Sequence, residues 1–238
     1  MRPFRFSDLS RILDDVSEQG YQFLRCIDYY HFKRNLPPKA VVLRIDIDFS
    51  IQKVEPILEI LNKLKIKASF FVRLHAREYN VFEYTNFSIL QKIIRSGHEL
   101  GYHSEIMDVA LFLNEPPEII LRRDLKILDT AFDITIHGVA SHNGLTGTNN
   151  LDFWTNHNPQ DFGILYEAYQ NDSLFSLFND SLYISDSEWT QWKAYRNGKL
   201  LVGDTRDPSH FACFDQFPLI YILIHGDTFF TIHPYESP

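Results

Sequence analysis

The chain has 238 residues, of which 45% are hydrophobic and 15% aromatic, as is typical of one packed globular domain rather than a disordered chain. Its formal net charge of −8 at pH 7 argues against nucleic acid or an anionic membrane as the main partner. Two cysteines, Cys26 and Cys213, lie far apart and predict neither a disulfide framework nor a cysteine zinc site. No apolar run follows the N-terminus as in a secretory signal, and the longest apolar stretch, residues 219–224, is too short to span a bilayer. We therefore predict a cytoplasmic protein without a transmembrane segment.

Strand-like and helix-like segments alternate along most of the chain. Residues 1–38 are predicted to form a helical extension that packs on a single domain covering residues 1–238, with a first helix that begins near Ser7 and ends at Gly20. The predicted strands cover residues 40–48, 67–72, 98–103, 134–140, 181–184 and 218–224, and the predicted helices cover residues 54–64, 87–95, 117–130 and 161–169. This alternation indicates βα units around a parallel sheet. Residues 141–159 form the longest irregular segment, and long loops of that kind are often functional.

Side chains capable of chemistry follow one predicted strand after another. In a parallel α/β barrel the carboxyl ends of the strands converge on one mouth, where active sites form. The pattern therefore predicts a cluster suited to metal-assisted hydrolysis. Its members are Asp46 and Asp48, Arg73 and His75, His103 and Glu105, His142, Asp186 and His225.

The first pair of acids lies on one face of a strand. Alternation places Asp46 and Asp48 about 6–7 Å apart, so that one carboxylate can bind a metal while the other reaches its water. The alternative is that Asp48 or Ser50 caps the following helix, which accounts for one acid but not for both. Arg44 shares the inward face and needs a partner, for which we predict Glu99.

Histidines at two later strand ends extend the predicted metal site. His103 can act as a ligand and Glu105 as a second one, with Gly101 leaving space on the inward face. At the next strand end His142 can complete the shell and Asn143 can hold a developing oxyanion. The alternative there is a polar turn with a hydrogen-bonded histidine.

The last strands add an acid, a base and several aromatic rings. Asp186 and His225 lie near the predicted mouth. Trp189, Trp192 and Tyr195 are spaced like one face of a helix, which favours core packing, although an aromatic wall for a sugar ring is the second reading.

These motifs resemble the polysaccharide deacetylase superfamily, carbohydrate esterase family 4, over roughly residues 41–227. The resemblance implies an α/β fold, a single-domain distorted (β/α)7 barrel of the glycoside hydrolase/deacetylase type, with a divalent metal, most simply Zn²⁺. Residues 140–147, 161–169 and 183–195 resemble a branch found among surface-polysaccharide biosynthesis proteins. The matching stretches, in the family's order, are Arg44-Ile45-Asp46-Ile47-Asp48, Ala68-Ser69-Phe70-Phe71-Val72, Gly97-His98-Glu99-Leu100-Gly101-Tyr102-His103-Ser104 and Leu223-Ile224-His225.

By position the resemblance assigns a role to each matching residue. Asp46 resembles the general base, Asp48 and His103 resemble metal ligands, and His225 resembles the general acid, with Asp186 orienting a catalytic partner. Arg73, Asn143 and Trp189 are the candidates for substrate binding.

The chain departs from the family pattern at three positions. Ile47 separates acids that are usually adjacent, so the roles of Asp46 and Asp48 could be exchanged. Met107 stands where the family has a further histidine, and a thioether is a poor ligand for such a dication, so Glu105, Asp108 or His142 must replace it or the metal is absent. His225 is followed by Gly226 rather than by proline.

The resemblance implies hydrolysis of an N-acetyl or N-formyl group on a sugar, and the predicted location favours a precursor on a nucleotide or lipid carrier. One alternative is a metal-free glycoside hydrolase that uses two of Asp46, Asp48, Glu105 and Asp186, with carboxylates facing each other across a cleft. The other is a non-catalytic sugar-binding or scaffold protein that has lost part of its metal shell. The sequence leaves the oligomeric state open.

Overall fold

A ten-stranded sheet forms the centre of the fold in a computed structural model that describes residues 4–187, 190–234 and 236. The strands are β1 Gln22–Leu24, β2 Ala40–Ile47, β3 Ser69–Val72, β4 Glu99–Ser104, β5 Gly138–Ser141, β6 Tyr166–Glu167, β7 Leu182–Ser185, β8 Lys193–Arg196, β9 Lys199–Leu200 and β10 Leu219–His225. The helices are α1 Phe6–Glu18, α2 Cys26–Phe32, α3 Glu55–Leu64, α4 Tyr84–Arg95, α5 Ile106–Leu113, α6 Pro117–Phe132, α7 Leu177–Asp180 and α8 Pro208–Ala212. Short 3₁₀ helices occupy Gln52–Val54, Asn150–Thr155, Pro159–Phe162 and Gly226–Thr228.

The sheet is parallel except at one edge. Its order is β6-β5-β4-β3-β2-β10-β7-β8-β9, and β1 pairs with the first half of β2. The pairs β7–β8 and β8–β9 are antiparallel, whereas all the other pairs are parallel. The predicted α/β fold with a mainly parallel sheet is therefore confirmed, and closure of the sheet into a complete barrel stays a prediction.

Strands β2 to β7 and β10 are buried on both faces, as the continuous apolar runs of β2 and β10 indicate. Every residue of β2 is buried, and its side chains divide by parity between two apolar clusters. Val41, Leu43, Ile45 and Ile47 pack with the helices, whereas Ala40 and Val42 lie among aromatic rings on the inner face. Alternation therefore aims Arg44 and Asp46 inward as well.

Strands β6 and β1 are among the features that differ from the predicted pattern. The helix predicted at residues 161–169 is wrong, because a 3₁₀ turn ends at Gly163 with a φ of 80° and Tyr166 then enters the sheet in β6. The predicted helical extension also contains β1, which joins the sheet beside β2. Within the described residues, no helix is long and apolar enough to cross a membrane.

Helix α2 covers the amino end of the sheet. The backbone N–H of Cys26 donates to Ser69 Oγ at 2.7 Å, and that of Ile27 donates to Glu99 Oε2 at 3.0 Å. Tyr166 also donates its hydroxyl to Glu99, at 2.7 Å. These contacts form a polar floor opposite the end at which the candidate site lies.

Candidate active site

Strand β2 brings an arginine and two carboxylates to the inner face of the sheet. Arg44 binds Asp46 through both ends of its guanidinium, with Nε 2.7 Å from Oδ1 and Nη2 2.6 Å from Oδ2. Burial opposes ionisation of Asp46, but Arg44 and then His103 lower its pKa below the usual value. The predicted Arg44–Glu99 pair is wrong, because a bidentate carboxylate two residues along the same strand satisfies the guanidinium.

His103 on β4 approaches both carboxylates. Its Nδ1 lies 2.7 Å from the carbonyl oxygen of Ala140, so that nitrogen carries the proton and Nε2 faces the acids. Nε2 is 3.3 Å from Asp46 Oδ2 and 3.2 Å from Asp48 Oδ1. Burial disfavours the imidazolium, yet Asp46 and Asp48 raise the pKa of His103 above its ordinary value.

His142 reaches the same place from the end of β5. Its backbone N–H continues the β4–β5 ladder to Ser104 at 3.0 Å, and its ring lies 5.0 Å from that of His103, almost perpendicular to it. One ligand atom from each of Asp48, His103 and His142 falls within 4.8 Å of the others. The group uses three of the four residues predicted as metal ligands.

The donor set of this group fits a divalent metal. Two imidazoles and a carboxylate match the ligands that zinc takes in hydrolytic sites. The pKa of Asp48 lies well below its ordinary value, because hydrogen bonding to His103 outweighs burial. Burial and the neighbouring His103 lower the pKa of His142 to about 4, which keeps that imidazole neutral, and its buried Nδ1 has no hydrogen-bond partner among the described residues. The Nδ1–H of His103 is bonded to a backbone carbonyl, as is usual for a metal-ligating histidine.

The fourth predicted ligand, Glu105, is held elsewhere. Arg73 donates from Nη2 to Glu105 Oε1 at 2.7 Å and from Nη1 to the backbone oxygen of Asp48 at 2.7 Å. Glu105 therefore stays next to His142, at 3.8 Å from Nδ1, but outside the three-residue group. Arg73, predicted to bind substrate, is 2% exposed, and its guanidinium holds Glu105 and the backbone of Asp48.

Asp108 organises the loop that carries His142. It accepts hydrogen bonds from the backbone N–H groups of Leu145 and Thr146 and from the amide of Asn150, the shortest at 2.7 Å. Asn150 also donates to the carbonyl oxygen of His142 at 3.0 Å. Of the three replacements considered for the missing histidine, the geometry thus groups only His142 with Asp48 and His103.

A histidine–aspartate pair lies on the neighbouring strands. The register β2–β10 sets His225 beside Asp46, and His225 Nδ1 is 2.6 Å from Asp186 Oδ1. Asp186 also accepts the backbone N–H of His225, at 3.0 Å. Burial disfavours the imidazolium, but Asp186 and then Asp48 outweigh it and raise the pKa of His225 to about 9.

The site opens into a cavity of about 260 Å³, here named the catalytic cavity. Asn143, a predicted substrate-binding residue, lines this cavity, whereas Trp189 lies outside the described residues. Trp192 packs on Phe4 in the core, and Tyr195 belongs to strand β8 instead of a helix. Sequence reasoning missed most of the aromatic wall, because its rings come from separate segments without a shared motif. That wall consists of Tyr169, Phe178, Tyr183 and Tyr195.

Asp46 and Asp48 both approach the same imidazole nitrogen instead of facing each other across an open cleft. This arrangement differs from the paired carboxylates that flank a glycosidic bond in glycoside hydrolases.

Comparisons with known proteins place this site in a recognisable fold. No protein-family model and no curated protein sequence matches the chain. Among solved structures, IcaB from Ammonifex degensii has a TM-score of 0.52 and 18% identity, over 72% of this chain and 81% of IcaB. The Streptococcus pyogenes deacetylase PplD has a TM-score of 0.43 and 17% identity, over 61% of this chain and 66% of PplD. A CE4 family pseudoenzyme from Bacillus anthracis has a TM-score of 0.45 and 15% identity, over 82% of this chain and 62% of its own.

The likeness to IcaB concerns the fold, since the identity is low. It agrees with the order of motifs along β2, β3, β4 and β10, which the sequence alone associates with the deacetylases. The chain thus has the fold of the carbohydrate esterase family 4 polysaccharide deacetylases and resembles a divergent branch of them.

Proposed function

We propose that the protein is a metal-dependent hydrolase that removes an N-acetyl or N-formyl group from a sugar. One observation carries the proposal: the Asp48–His103–His142 group lies beside a second carboxylate, Asp46, and beside His225, whose far nitrogen is bound by an aspartate. Amide hydrolysis needs a base for water and an acid for the leaving nitrogen, and this arrangement offers both beside a set of metal ligands.

Asp48, His103 and His142 would hold the metal, and zinc is the natural choice for this donor set. A divalent cation bound there supplies Lewis-acid polarisation of the amide carbonyl and a lowered pKa for water. Asn143, on the cavity wall, would donate a hydrogen bond to the oxygen of the amide.

Asp46 is the proposed general base. Its bidentate contact with Arg44 fixes the carboxylate plane and keeps it ionised, so that it is ready to accept a proton from water. Because Asp48 belongs to the ligand group and Asp46 does not, the geometry favours this division of roles over the exchanged one.

His225 is the proposed general acid. Asp186 binds Nδ1 and thereby turns Nε2 toward the cavity, where it is 3.8 Å from Asp48 Oδ2. The imidazolium is the favoured form near neutral pH and can donate its Nε2 proton to the departing amine. A sugar ring would lie against the aromatic wall of the cavity.

The test is the metal content of the purified protein by elemental mass spectrometry, with Asp48→Ala, His103→Ala and Asp14→Ala measured in parallel. Asp14 is an exposed acid on α1 and serves as the matched control. We expect near-stoichiometric zinc or another transition metal in the wild type and in Asp14→Ala, and its loss in the two site variants. Release of acetate or formate from N-acylated sugars, including nucleotide-linked ones, should follow the same order. A wild type that stays metal-free after reconstitution would refute the proposal.

A further inference from the structure

His142 lacks one contact that a metal-ligating histidine usually makes. In most metal sites the ring nitrogen that does not bind the metal donates its N–H to a carboxylate, a backbone carbonyl or water, and this bond orients the ring. His103 has such a bond, from Nδ1 to the carbonyl oxygen of Ala140 at 2.7 Å. Nδ1 of His142 is buried and has no partner among the described residues. His142 therefore needs an acceptor of the kind that His103 already has.

The carboxylate of Glu105 lies beside this nitrogen. Its Oε1 is 3.8 Å from His142 Nδ1, which is about 1 Å longer than an ordinary N–H···O hydrogen bond. Its Oε2 is buried and likewise has no partner in the part of the chain that the structure describes. Buried polar groups are nearly always hydrogen-bonded, and a carboxylate is an acceptor while an imidazole N–H is a donor. A small rotation of the His142 ring toward Glu105 would therefore give each group a partner.

Glu105 is itself anchored by Arg73. Arg73 Nη2 donates to Glu105 Oε1 at 2.7 Å, and Nη1 donates to the backbone oxygen of Asp48 at 2.7 Å. Both side chains are 2% exposed, so water does not compete for these bonds. The Arg73–Glu105 pair thus connects the backbone of one proposed ligand, Asp48, with the ring of another, His142. A carboxylate that is already anchored can orient a neighbouring ring without losing further conformational freedom of its own.

The other contacts of His142 fix its backbone but do not set the orientation of its ring. His142 directly follows β5, at the start of an irregular segment. Its backbone N–H donates to Ser104 at 3.0 Å, and its carbonyl oxygen accepts from Asn150 at 3.0 Å. Rotation about the side-chain torsions depends on contacts of the ring itself. A hydrogen bond to Glu105 is directional, whereas the edge-on packing against His103 is not.

We propose that Glu105 is the positioning residue of His142: its carboxylate accepts the Nδ1–H, so that the lone pair of Nε2 points to the metal. Which ring nitrogen binds a metal is set by the hydrogen bond that the other one makes. Glu105 acts here through His142 and touches neither metal nor substrate. The inference rests on the proposed function, because it concerns a ligand of the same metal, but the tautomer of His142 can be measured without any metal.

The first test is NMR spectroscopy of the histidine ring nitrogens in ¹⁵N-labelled, metal-free protein at about pH 8, where a free imidazole is neutral. Long-range ¹H–¹⁵N correlations distinguish a protonated ring nitrogen from one with a lone pair, and His142→Asn identifies the signals of His142. We expect the proton on Nδ1 in the wild type and on Nε2 in Glu105→Ala, because Nδ1–H then has no acceptor. A wild-type ring protonated at Nε2, or the same tautomer in both proteins, would overturn the inference.

The second test is the affinity for zinc, measured by competition with a chelator. Glu105→Ala should lower it about 10–100-fold, as is usual when a group that orients a ligand is removed. Glu105→Gln should lose only several-fold, because its amide oxygen still accepts a hydrogen bond, and this variant carries the test if Glu105→Ala does not fold.

The matched control is Glu78→Ala. Glu78 is the second carboxylate on Arg73, with Oε2 3.2 Å from Nη1. We expect this variant to bind zinc within about twofold of the wild type. An unchanged affinity in both Glu105 variants would overturn the inference. An equal fall in Glu78→Ala would also overturn it, since the effect would then act through Arg73 rather than through the ring of His142.

The two tests separate this inference from the proposed function. A wild type that binds no metal but has a Glu105-dependent proton on Nδ1 of His142 would leave the positioning role standing while the hydrolase proposal falls. A wild type that binds metal stoichiometrically, with tautomer and affinity unchanged in Glu105→Ala, would leave the hydrolase proposal standing while the positioning role falls.

Discussion

Arg44 is the most consequential single residue around the site. It is fully buried, and its guanidinium is satisfied by Asp46, by the hydroxyl of Tyr221 at 3.2 Å and by the face of Tyr169, whose centroid is 4.7 Å away. Water cannot solvate a buried charge that has lost its partner. Replacing Arg44 therefore affects the stability of the fold as well as the ionisation of Asp46, the proposed base.

Arg44→Met should lower the free energy of unfolding by about 3–5 kcal/mol, because it leaves Asp46 buried without its cation. Urea denaturation measures this loss. The control is Arg25→Met, whose partly exposed pair with Asp28 should contribute no more than about 1 kcal/mol. The double variant Arg44→Met/Asp46→Leu should recover much of the loss, and equal stability of Arg44→Met and wild type would contradict the account.

His98 couples stability to pH at the amino end of the sheet. Its Nδ1 accepts the backbone N–H of Ala68 at 3.2 Å, and its ring packs edge-on against Phe70. Burial and the nearby cation Lys67 lower its pKa to about 4 from the ordinary 6.5. The unfolded chain therefore takes up a proton between these values while the folded protein does not, and stability falls as the pH drops from about 6.5 to about 4.

The shift corresponds to at most about 3 kcal/mol, and we expect about 1–2 kcal/mol because His98 borders a surface cavity where water screens charge. His98→Asn retains an acceptor for Ala68 but cannot titrate. Its unfolding free energy, measured in urea from pH 7 to pH 4, should decline less than that of the wild type by this amount. Parallel declines in the two proteins would rule out His98 as the group responsible.

At the scale of elements, β3 and β4 pack closely because Gly101 on β4 has no side chain. A Cβ at Gly101 would come within 2.5 Å of the ring of Phe71, which fills the space beside His103. The sequence prediction that Gly101 leaves room on the inward face is consistent with this packing, and the occupant of that room is an aromatic ring from the next strand.

Gly101→Ala should lower stability by about 1–3 kcal/mol through overpacking. Adding Phe71→Leu should recover part of that loss, because the two residues share one space and their effects are not additive. Thermal or urea unfolding of the two single variants and the double variant measures the coupling. Strictly additive losses would show that the contact is unimportant.

The loop after β5 is held by hydrogen bonds to the side chain of Asp108. Asp108→Ala removes the acceptor of the Leu145 and Thr146 backbone N–H groups and frees the segment that carries His142. We expect metal affinity to fall about 10–100-fold, as when residues that orient ligands are removed. Competition with a chelator measures it, with Thr148→Ala as the control because its contact to Asp108 is a long 3.5 Å. An unchanged affinity in Asp108→Ala would contradict this role of the loop.

Elements with strong local patterns could be predicted from the sequence. The parallel sheet is predicted by two patterns, which are the apolar runs of β2 and β10 and the helical period of α3 and α6. Helix α5 was missed because Ile106–Leu113 is apolar on most sides and follows β4 without a break. The sequence favours a helix where β6 lies, because its sheet partner, β5, rather than its own sequence, sets its conformation.

For the whole molecule, the strand order explains why the site could be foreseen only in part. Residues from β2, β4, β5 and β10 meet because parallel strands end at one edge, which the sequence does reveal. It does not reveal which neighbour satisfies a buried charge. Arg44 is predicted to pair with Glu99 but binds Asp46, and Glu105 is predicted to be a metal ligand but binds Arg73.

The two thiols of the molecule report on two different events. Cys213, at the end of α8, is exposed, whereas Cys26 is buried at the floor of the sheet, where burial and then Glu99 raise the pKa of its thiol to about 12. A thiol reagent should therefore modify Cys213 at once in the native protein, and Cys26 only when α2 leaves the sheet. In Cys213→Ser, the slow rate at which Cys26 is labelled measures how often α2 separates from the sheet, and the measurement needs no denaturant. Cys213 can thus carry an attached probe, and the labelling of Cys26 reports local opening of the fold.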